Sequence, residues 1–111
     1  MATFCLLHGN WHDGTCWDPL VAALQARGHE AVAPDLPLDD PRAGFEARVQ
    51  PALEAIAGAP GPIVVVGHSV SSGYAAMVAE ATPGSVLVHL CPRLGPFPEP
   101  AGAPDTFRPD F

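Results

Sequence analysis

Two hydrophobic patterns meet in the stretch Ile63-Val64-Val65-Val66-Gly67-His68-Ser69-Val70-Ser71-Ser72-Gly73. Its first four residues are all apolar and β-branched, which is typical of a strand buried on both faces of a parallel sheet. Further along, apolar residues recur at offsets that place them on one face of a helix. They are Val70, Tyr74, Met77, Val78 and Ala81. The sequence therefore predicts a strand, a tight turn and a helix, with Ser69 at the turn.

The predicted turn puts a serine in a place that suits a nucleophile. A serine hydroxyl needs a base beside it, and its surroundings must let a carbonyl group approach. A sharp strand-to-helix turn exposes the side chain, and the free N–H groups of the helix N-terminus stabilise developing negative charge. The pentapeptide Gly67-His68-Ser69-Val70-Ser71 resembles the G-x-S-x-G nucleophile elbow of the α/β-hydrolase superfamily, with Ser71 replacing the last glycine. The alternative is an incidental serine in a glycine-rich turn of another α/β protein.

Strand and helix patterns alternate along the chain on both sides of this turn. Besides the strand before Gly67, strands are predicted at residues 3–7, 30–37 and 85–90. Helices are predicted at residues 15–27 and 42–57 and after Ser69, with Asp18 as an N-cap, Gly28 ending the first helix and Pro51 kinking or splitting the second. Because the connections are short, this order predicts an α/β fold: a parallel sheet in the strand order 2-1-3-4 with helices on both faces.

Composition restricts the function classes. The 111 residues allow one domain at most, and 48% of them are hydrophobic, which is enough for a core. The net charge is −7 and all five basic residues are arginines, so no basic stripe for nucleic acid is present. No signal peptide and no apolar run of membrane-spanning length is seen, so we expect a soluble, cytoplasmic protein without a membrane partner.

The three cysteines do not form a recognisable framework. Their number is odd and their positions, Cys5, Cys16 and Cys91, are widely spaced. This pattern predicts neither a disulfide framework nor a zinc site. Cys5 and Cys16 are expected to fill the core, and a reducing compartment follows. No metal or cofactor is expected, because acyl transfer at a serine needs neither.

A second motif, His8-Gly9-Asn10-Trp11, follows the first predicted strand. In a parallel sheet this loop lies at the carboxyl edge, where the Ser69 turn also lies. Acyl transfer needs two N–H donors for the oxyanion, one from the residue after the nucleophile and one from a neighbouring loop.

The His8-Gly9 pair at this place resembles the oxyanion loop of the superfamily, which implies that the two donors are the N–H groups of Val70 and Asn10. His8 is predicted to be a structural histidine that hydrogen-bonds the loop. Adjacent side chains in such a turn point apart, so His68 is not the expected base. Trp11 is expected near the mouth of the site, whereas Trp17 is expected in the core.

Taken together, the motifs resemble small α/β-hydrolases, in the branch of plant-type methylesterases and hydroxynitrile lyases with their bacterial relatives. The matching segments are residues 4–12, Trp17, Gly28-His29, Ala33-Pro34-Asp35-Leu36-Pro37 and Gly67-His68-Ser69, and the resemblance extends to about Leu90. It implies a serine hydrolase that acts on a carboxylic ester or related acyl substrate. The implied site consists of catalytic Ser69, oxyanion donors Asn10 and Val70, and supporting His8, Gly9, Gly67, His68 and Trp11.

The resemblance also implies an acid and a histidine later in the chain than the nucleophile. The later acids are Glu80, Glu99, Asp105 and Asp110, and the later histidine is His89. None of these positions matches the family's pattern. We therefore expect that residues 1–90 form the N-terminal half of a hydrolase core and that residues 91–111, which contain six prolines, form an extended tail leading to a missing cap region.

Two readings of function remain open at this point. In the first, the chain is part of a serine hydrolase, or of a lyase that uses the same serine, whose catalytic acid and histidine lie elsewhere. In the second, it is a catalytically inactive truncated chain that acts as a binding module. In the family the fourth strand is covered by further strands, but in this chain its outer edge is unpaired, which predicts a homodimer formed through that strand.

Overall fold

The computed structural model describes residues 1–92 and shows a four-stranded parallel sheet in the order β2-β1-β3-β4. The strands are β1 (Thr3–Leu7), β2 (Glu30–Val32), β3 (Ile63–His68) and β4 (Val86–Leu90). A 3-10 helix (Gly14–Trp17) precedes α1 (Asp18–Ala26), and α2 (Phe45–Ile56) and α3 (Ser71–Glu80) follow. The predicted fold class and strand order are confirmed. The predicted tail lies outside the described residues, apart from residues 91 and 92.

The first strand of the chain occupies the centre of the sheet. All five residues of β1 pair with β3, from Thr3 opposite Ile63 to Leu7 opposite Gly67, and three of them also pair with β2. Leu6 and Leu7 are fully buried. The register aligns the ends of β1 and β3, so the loop after β1 and the turn after β3 begin side by side.

Helices cover the two faces of the sheet unequally. On the α2–α3 face, ten buried hydrophobic residues form one cluster: Cys5, Leu7, Leu36, Val49, Ala52, Ile56, Val65, Tyr74, Ala75 and Val78. On the α1 face the buried cluster has three members, Leu6, Trp17 and Val66, and α1 itself contributes no buried residue. The α2–α3 face therefore holds most of the core.

An arginine is buried between α2 and α3. Arg48 is 9% exposed, and its guanidinium donates to the carbonyls of Ala43 and Asp40 at 3.0 Å each and to the Tyr74 hydroxyl at 3.2 Å. These bonds satisfy the buried cation and tie the segment before α2 to α3.

The bounds of two elements bear on their prolines. The helix predicted from residue 42 begins at Phe45 and runs unbroken through Pro51, so the predicted split does not occur. The second strand stops at Val32, in agreement with the predicted break at the prolines of residues 30–37, because Pro34 cannot donate to the ladder.

The start of the first helix also differs from the prediction. The 3-10 helix runs directly into α1, so Trp17 takes the N-cap position and Asp18 becomes the first helical residue. Asp13 caps the 3-10 helix instead, and the hydrogen bonds from Thr15 hold the pKa of the Asp13 carboxyl below its ordinary value. Cys16 is exposed rather than in the core, because this turn buries Gly14 and Trp17 instead. No helix within residues 1–92 is long and apolar enough to cross a membrane.

Candidate active site

Ser69 lies at a strained turn between β3 and α3. Its φ is 56°, a left-handed conformation that costs a non-glycine residue about 1–3 kcal/mol and persists only where the surroundings impose it. Here the Ser69 N–H donates to the Leu90 carbonyl at 3.1 Å, and its own carbonyl accepts the Ser72 N–H at 3.1 Å and the Ser72 hydroxyl at 2.8 Å. Neighbouring β4 and the first turn of α3 therefore hold the serine in place.

Gly67 allows α3 to pack directly on β3. A Cβ atom at this position would lie 2.6 Å from the Ser71 carbonyl oxygen and 2.7 Å from the Ala75 Cβ, closer than real Cβ contacts. The first glycine of the motif is thus required by the close approach of the helix.

The loop after β1, residues 8–12 (the β1 loop), lies against the Ser69 turn. A Cβ atom on buried Gly9 would lie 3.5 Å from the Ser69 Cβ and 3.2 Å from the His68 Nδ1. The two sequence motifs therefore meet in space, and a Cβ atom at residue 9 would require a small shift of the His68 side chain.

His8 holds the β1 loop. It is 2% exposed, its Nε2 accepts the Leu36 N–H at 2.9 Å, and its Nδ1 lies 2.8 Å from the Gly9 carbonyl oxygen. Because Nε2 accepts, Nδ1 must carry the proton that is donated to Gly9, which defines a neutral tautomer. With both ring nitrogens engaged, His8 supports the loop and has no lone pair available to act as a base.

The predicted oxyanion donors lie on the two sides of this contact. Val70, 7% exposed, follows Ser69, and half-buried Asn10 follows Gly9. Within residues 1–92, neither backbone N–H is engaged in a hydrogen bond. A developing oxyanion requires unengaged N–H donors, so both groups remain the predicted ones.

Two aromatic rings lie edge-on to His68 on the α1 face. Its ring centroid lies 6.2 Å from that of His12 and 6.3 Å from that of Trp17, both edge-on. Trp17 is buried, as predicted, and its Nε1 has no hydrogen-bond partner among the described residues. Trp11 is 66% exposed. Like Ser69 and Cys91, it has a positive φ, and all three residues lie at the carboxyl edge of the sheet.

No described residue supplies a base for Ser69. The hydrogen bonds of residues 1–92 include none between the Ser69 hydroxyl and an imidazole or a carboxylate. Glu80 ends α3 and is exposed, and His89 is exposed in β4. The other later acids, Glu99, Asp105 and Asp110, lie outside the described residues. The described part of the chain also brings together no group of three or more potential metal ligands.

The structure adds two polar contacts that the sequence reasoning did not assign. Asp35 accepts the Gly14 N–H at 2.7 Å, where a Cβ on Gly14 would lie 2.1 Å from the Ala33 carbonyl oxygen. The Ser71 hydroxyl donates to the His8 carbonyl. The departure from glycine at residue 71 was the available signal for the second contact.

The chain is similar to known proteins of one family. The profile of the alpha/beta hydrolase family matches residues 6–111. Esterase PIR7B of rice (Oryza sativa subsp. japonica) is 38% identical over 93 residues, which are 75% of this chain and 35% of the rice protein. Pyrethroid hydrolase of Sphingobium wenxiniae is 32% identical over 111 residues, which cover 92% of this chain and 39% of that protein.

A solved structure shows the same arrangement of elements. The crystal structure of a pyrethroid hydrolase from Sphingobium faniae superposes with a TM-score of 0.72 at 28% identity, covering 83% of this chain and 40% of that one. The chain thus spans about two fifths or less of the length of the relatives it matches.

Proposed function

The chain belongs to the alpha/beta hydrolase family, in the esterase branch that its motifs resemble, and from this premise we propose that it carries the nucleophile half of a serine esterase site. The Ser69 hydroxyl attacks the carbonyl carbon of a carboxylic ester. The N–H groups of Asn10 and Val70 stabilise the resulting oxyanion. His8, Gly9, Gly67, His68 and Trp11 support this arrangement.

One observation carries the proposal: the β1 loop lies in contact distance of a serine held at positive φ. A positive φ at a serine is costly, and its position at a strand-to-helix turn aims the side chain outward from the sheet edge. The contact at Gly9, the residue before Asn10, supports the role proposed for the loop. Ester attack uses both features together, whereas a structural turn requires neither.

The ester class of substrate follows from this chemistry and agrees with the names of the relatives, an esterase and a pyrethroid hydrolase. Exposed Trp11 at the mouth adds an apolar surface, which suits an apolar acyl part.

We also propose that the catalytic histidine and acid lie outside these 111 residues. Ser69 has no base among the described residues, and the relatives are between two and three times as long. In triad enzymes the oxyanion hole and binding alone retain only weak catalysis.

The test is labelling of the natural protein, isolated from its source, with a fluorophosphonate that reacts only with activated serines. Labelling is expected at Ser69, mapped by peptide mass spectrometry, in a protein whose intact mass exceeds 11.5 kDa. Ser69→Ala should abolish it, while Ala76→Ser, which adds an exposed serine on α3, should leave it unchanged. A folded natural protein that takes no label would overturn the proposal.

The absence of a base beside Ser69 within residues 1–92 favours a second candidate, a catalytically inactive binding module. A natural protein of 11.5 kDa that is folded, unlabelled and able to bind an ester without hydrolysing it would establish this candidate instead.

A further inference from the structure

Ser71 stands where the resembling motif has glycine, and its side chain is fully buried. Its hydroxyl donates to the carbonyl of His8, 63 residues away in the chain. The first residue of α3, the helix behind the nucleophile, is therefore joined directly to the β1 loop.

This bond belongs to a set that orients two successive peptide units. The His8 carbonyl accepts from Ser71, which fixes the unit between His8 and Gly9. The Gly9 carbonyl accepts from His8 Nδ1, which fixes the unit between Gly9 and Asn10. In a planar trans peptide the C=O and N–H groups point in opposite directions, so a fixed Gly9 carbonyl determines where the Asn10 N–H points.

We propose that Ser71 is a positioning residue of the Ser69 site, whose hydroxyl holds the β1 loop so that the Asn10 N–H faces the nucleophile. The role of Asn10 rests on the proposed function, whereas the holding of the loop does not. A glycine at residue 71, as in the resembling motif, has no hydroxyl to donate to the His8 carbonyl. Ser71 therefore gives this chain an additional hydrogen bond between α3 and the β1 loop.

A simpler role for the hydroxyl is to satisfy a buried carbonyl. Both roles make its removal destabilising, because a buried acceptor is left unpaired. They differ in location: a positioning role predicts a change confined to the β1 loop and to the reaction at Ser69, whereas simple satisfaction lowers stability alone.

Thr3 provides a matched control at the opposite edge of the sheet. It is 1% exposed, and its hydroxyl donates at 2.7 Å to the carbonyl of Pro60, 57 residues away. Thr3→Val and Ser71→Ala thus each delete a buried long-range hydroxyl-to-carbonyl bond, one far from Ser69 and one beside it.

The experiment compares the natural full-length protein with its Ser71→Ala and Thr3→Val variants by two readouts. The first combines amide hydrogen exchange at Leu36, whose N–H donates to His8 Nε2, with the amide NMR shifts of Gly9 and Asn10, and it does not depend on activity. The second is the rate of fluorophosphonate labelling at Ser69. In Ser71→Ala we expect exchange at Leu36 to rise at least tenfold, the Gly9 and Asn10 resonances to shift, and labelling to slow about tenfold. Thr3→Val should change neither readout.

Unchanged exchange in Ser71→Ala, or equal changes in both variants, would overturn the proposal. Faster exchange with an unchanged labelling rate would overturn the catalytic part of it. If the natural protein takes no label, the proposed function is overturned, and the exchange data still decide whether Ser71 holds the loop.

Discussion

The two faces of the sheet differ in how they are closed. The α2–α3 face buries ten hydrophobic residues between the sheet and two helices, and the buried Arg48 of α2 bonds to Tyr74 of α3 and to the segment before α2. The α1 face buries three, and the strand residues Val86 and Leu90 on this face are 54% and 39% exposed. Both faces carry the same apolar strands, so the difference comes from the coverage and not from the sheet.

The comparison indicates that the two faces of the sheet have different roles. The α2–α3 face stabilises the sheet, and it fixes α3 and with it the first turn that holds Ser69. The α1 face carries the rings around His68 and the contact surface of the β1 loop. Stability and site geometry are therefore expected to respond to different substitutions.

The largest expected effect comes from truncating the two central leucines, which are adjacent, fully buried and on opposite faces. Leu7→Ala should lower the free energy of unfolding by about 4 kcal/mol and Leu6→Ala by about 2 kcal/mol, within the range of about 2–5 kcal/mol for such cavities. The half-exposed neighbours of Leu6 can close its cavity more easily. Urea unfolding measures both losses of free energy, and equal losses would contradict the expected difference between the two faces.

A smaller effect is expected from pH, through the buried thiol of the α2–α3 face. Burial raises the pKa of Cys5 from 9.0 to about 12. Between these values the unfolded chain has released the thiol proton and the folded chain has not, so the free energy of unfolding falls as pH rises, by up to about 1.4 kcal/mol per pH unit. Urea unfolding at pH 8, 9 and 10 measures the slope.

The control variants are Cys5→Ala and Cys16→Ala. The first should lose most of the slope, whereas the second, which alters an exposed thiol, should keep it. If Cys5→Ala kept the full dependence of unfolding free energy on pH, Cys5 would not be its source. The thiol of Cys5 would then not be desolvated in the core of the α2–α3 face.

The smallest effect on stability is expected on the α1 face of β4. We propose that this strand, which has no second neighbour among residues 1–92 and no charged residue, pairs with a second copy of the chain. Val86→Lys should change the free energy of unfolding by less than about 0.5 kcal/mol while abolishing the dimer in light scattering. Ala76→Lys, which adds the same charge on exposed α3, should leave the dimer intact. A parent chain that is monomeric at high concentration contradicts the proposal.

The sequence was sufficient to predict the sheet. Runs such as residues 3–7 and 63–66 are too apolar for any place but a buried parallel strand, and short connections leave few topologies. The unbroken helix through Pro51 and the exposed side of Cys16 were not predictable from local patterns, because tertiary packing decides both.

The site was predictable only in part. The motifs gave the positions of Ser69 and the β1 loop, but their contact through Gly9 depends on the register between β1 and β3. The bond from Ser71 to His8 joins residues far apart in the chain, and no local pattern encodes such a pair. Buried Arg48 was missed for a similar reason: a lone arginine on a helix is ordinarily solvated.

The central position of β1 has a consequence for synthesis. The ribosome makes this strand first, yet its last residue, Leu7, pairs with Gly67, sixty residues later. At about 5–20 residues per second, the nascent chain carries this apolar strand without that partner for about 3–12 s. During this interval Phe4-Cys5-Leu6-Leu7 has no β3 strand beside it, and transiently exposed apolar segments of this kind are prone to aggregate.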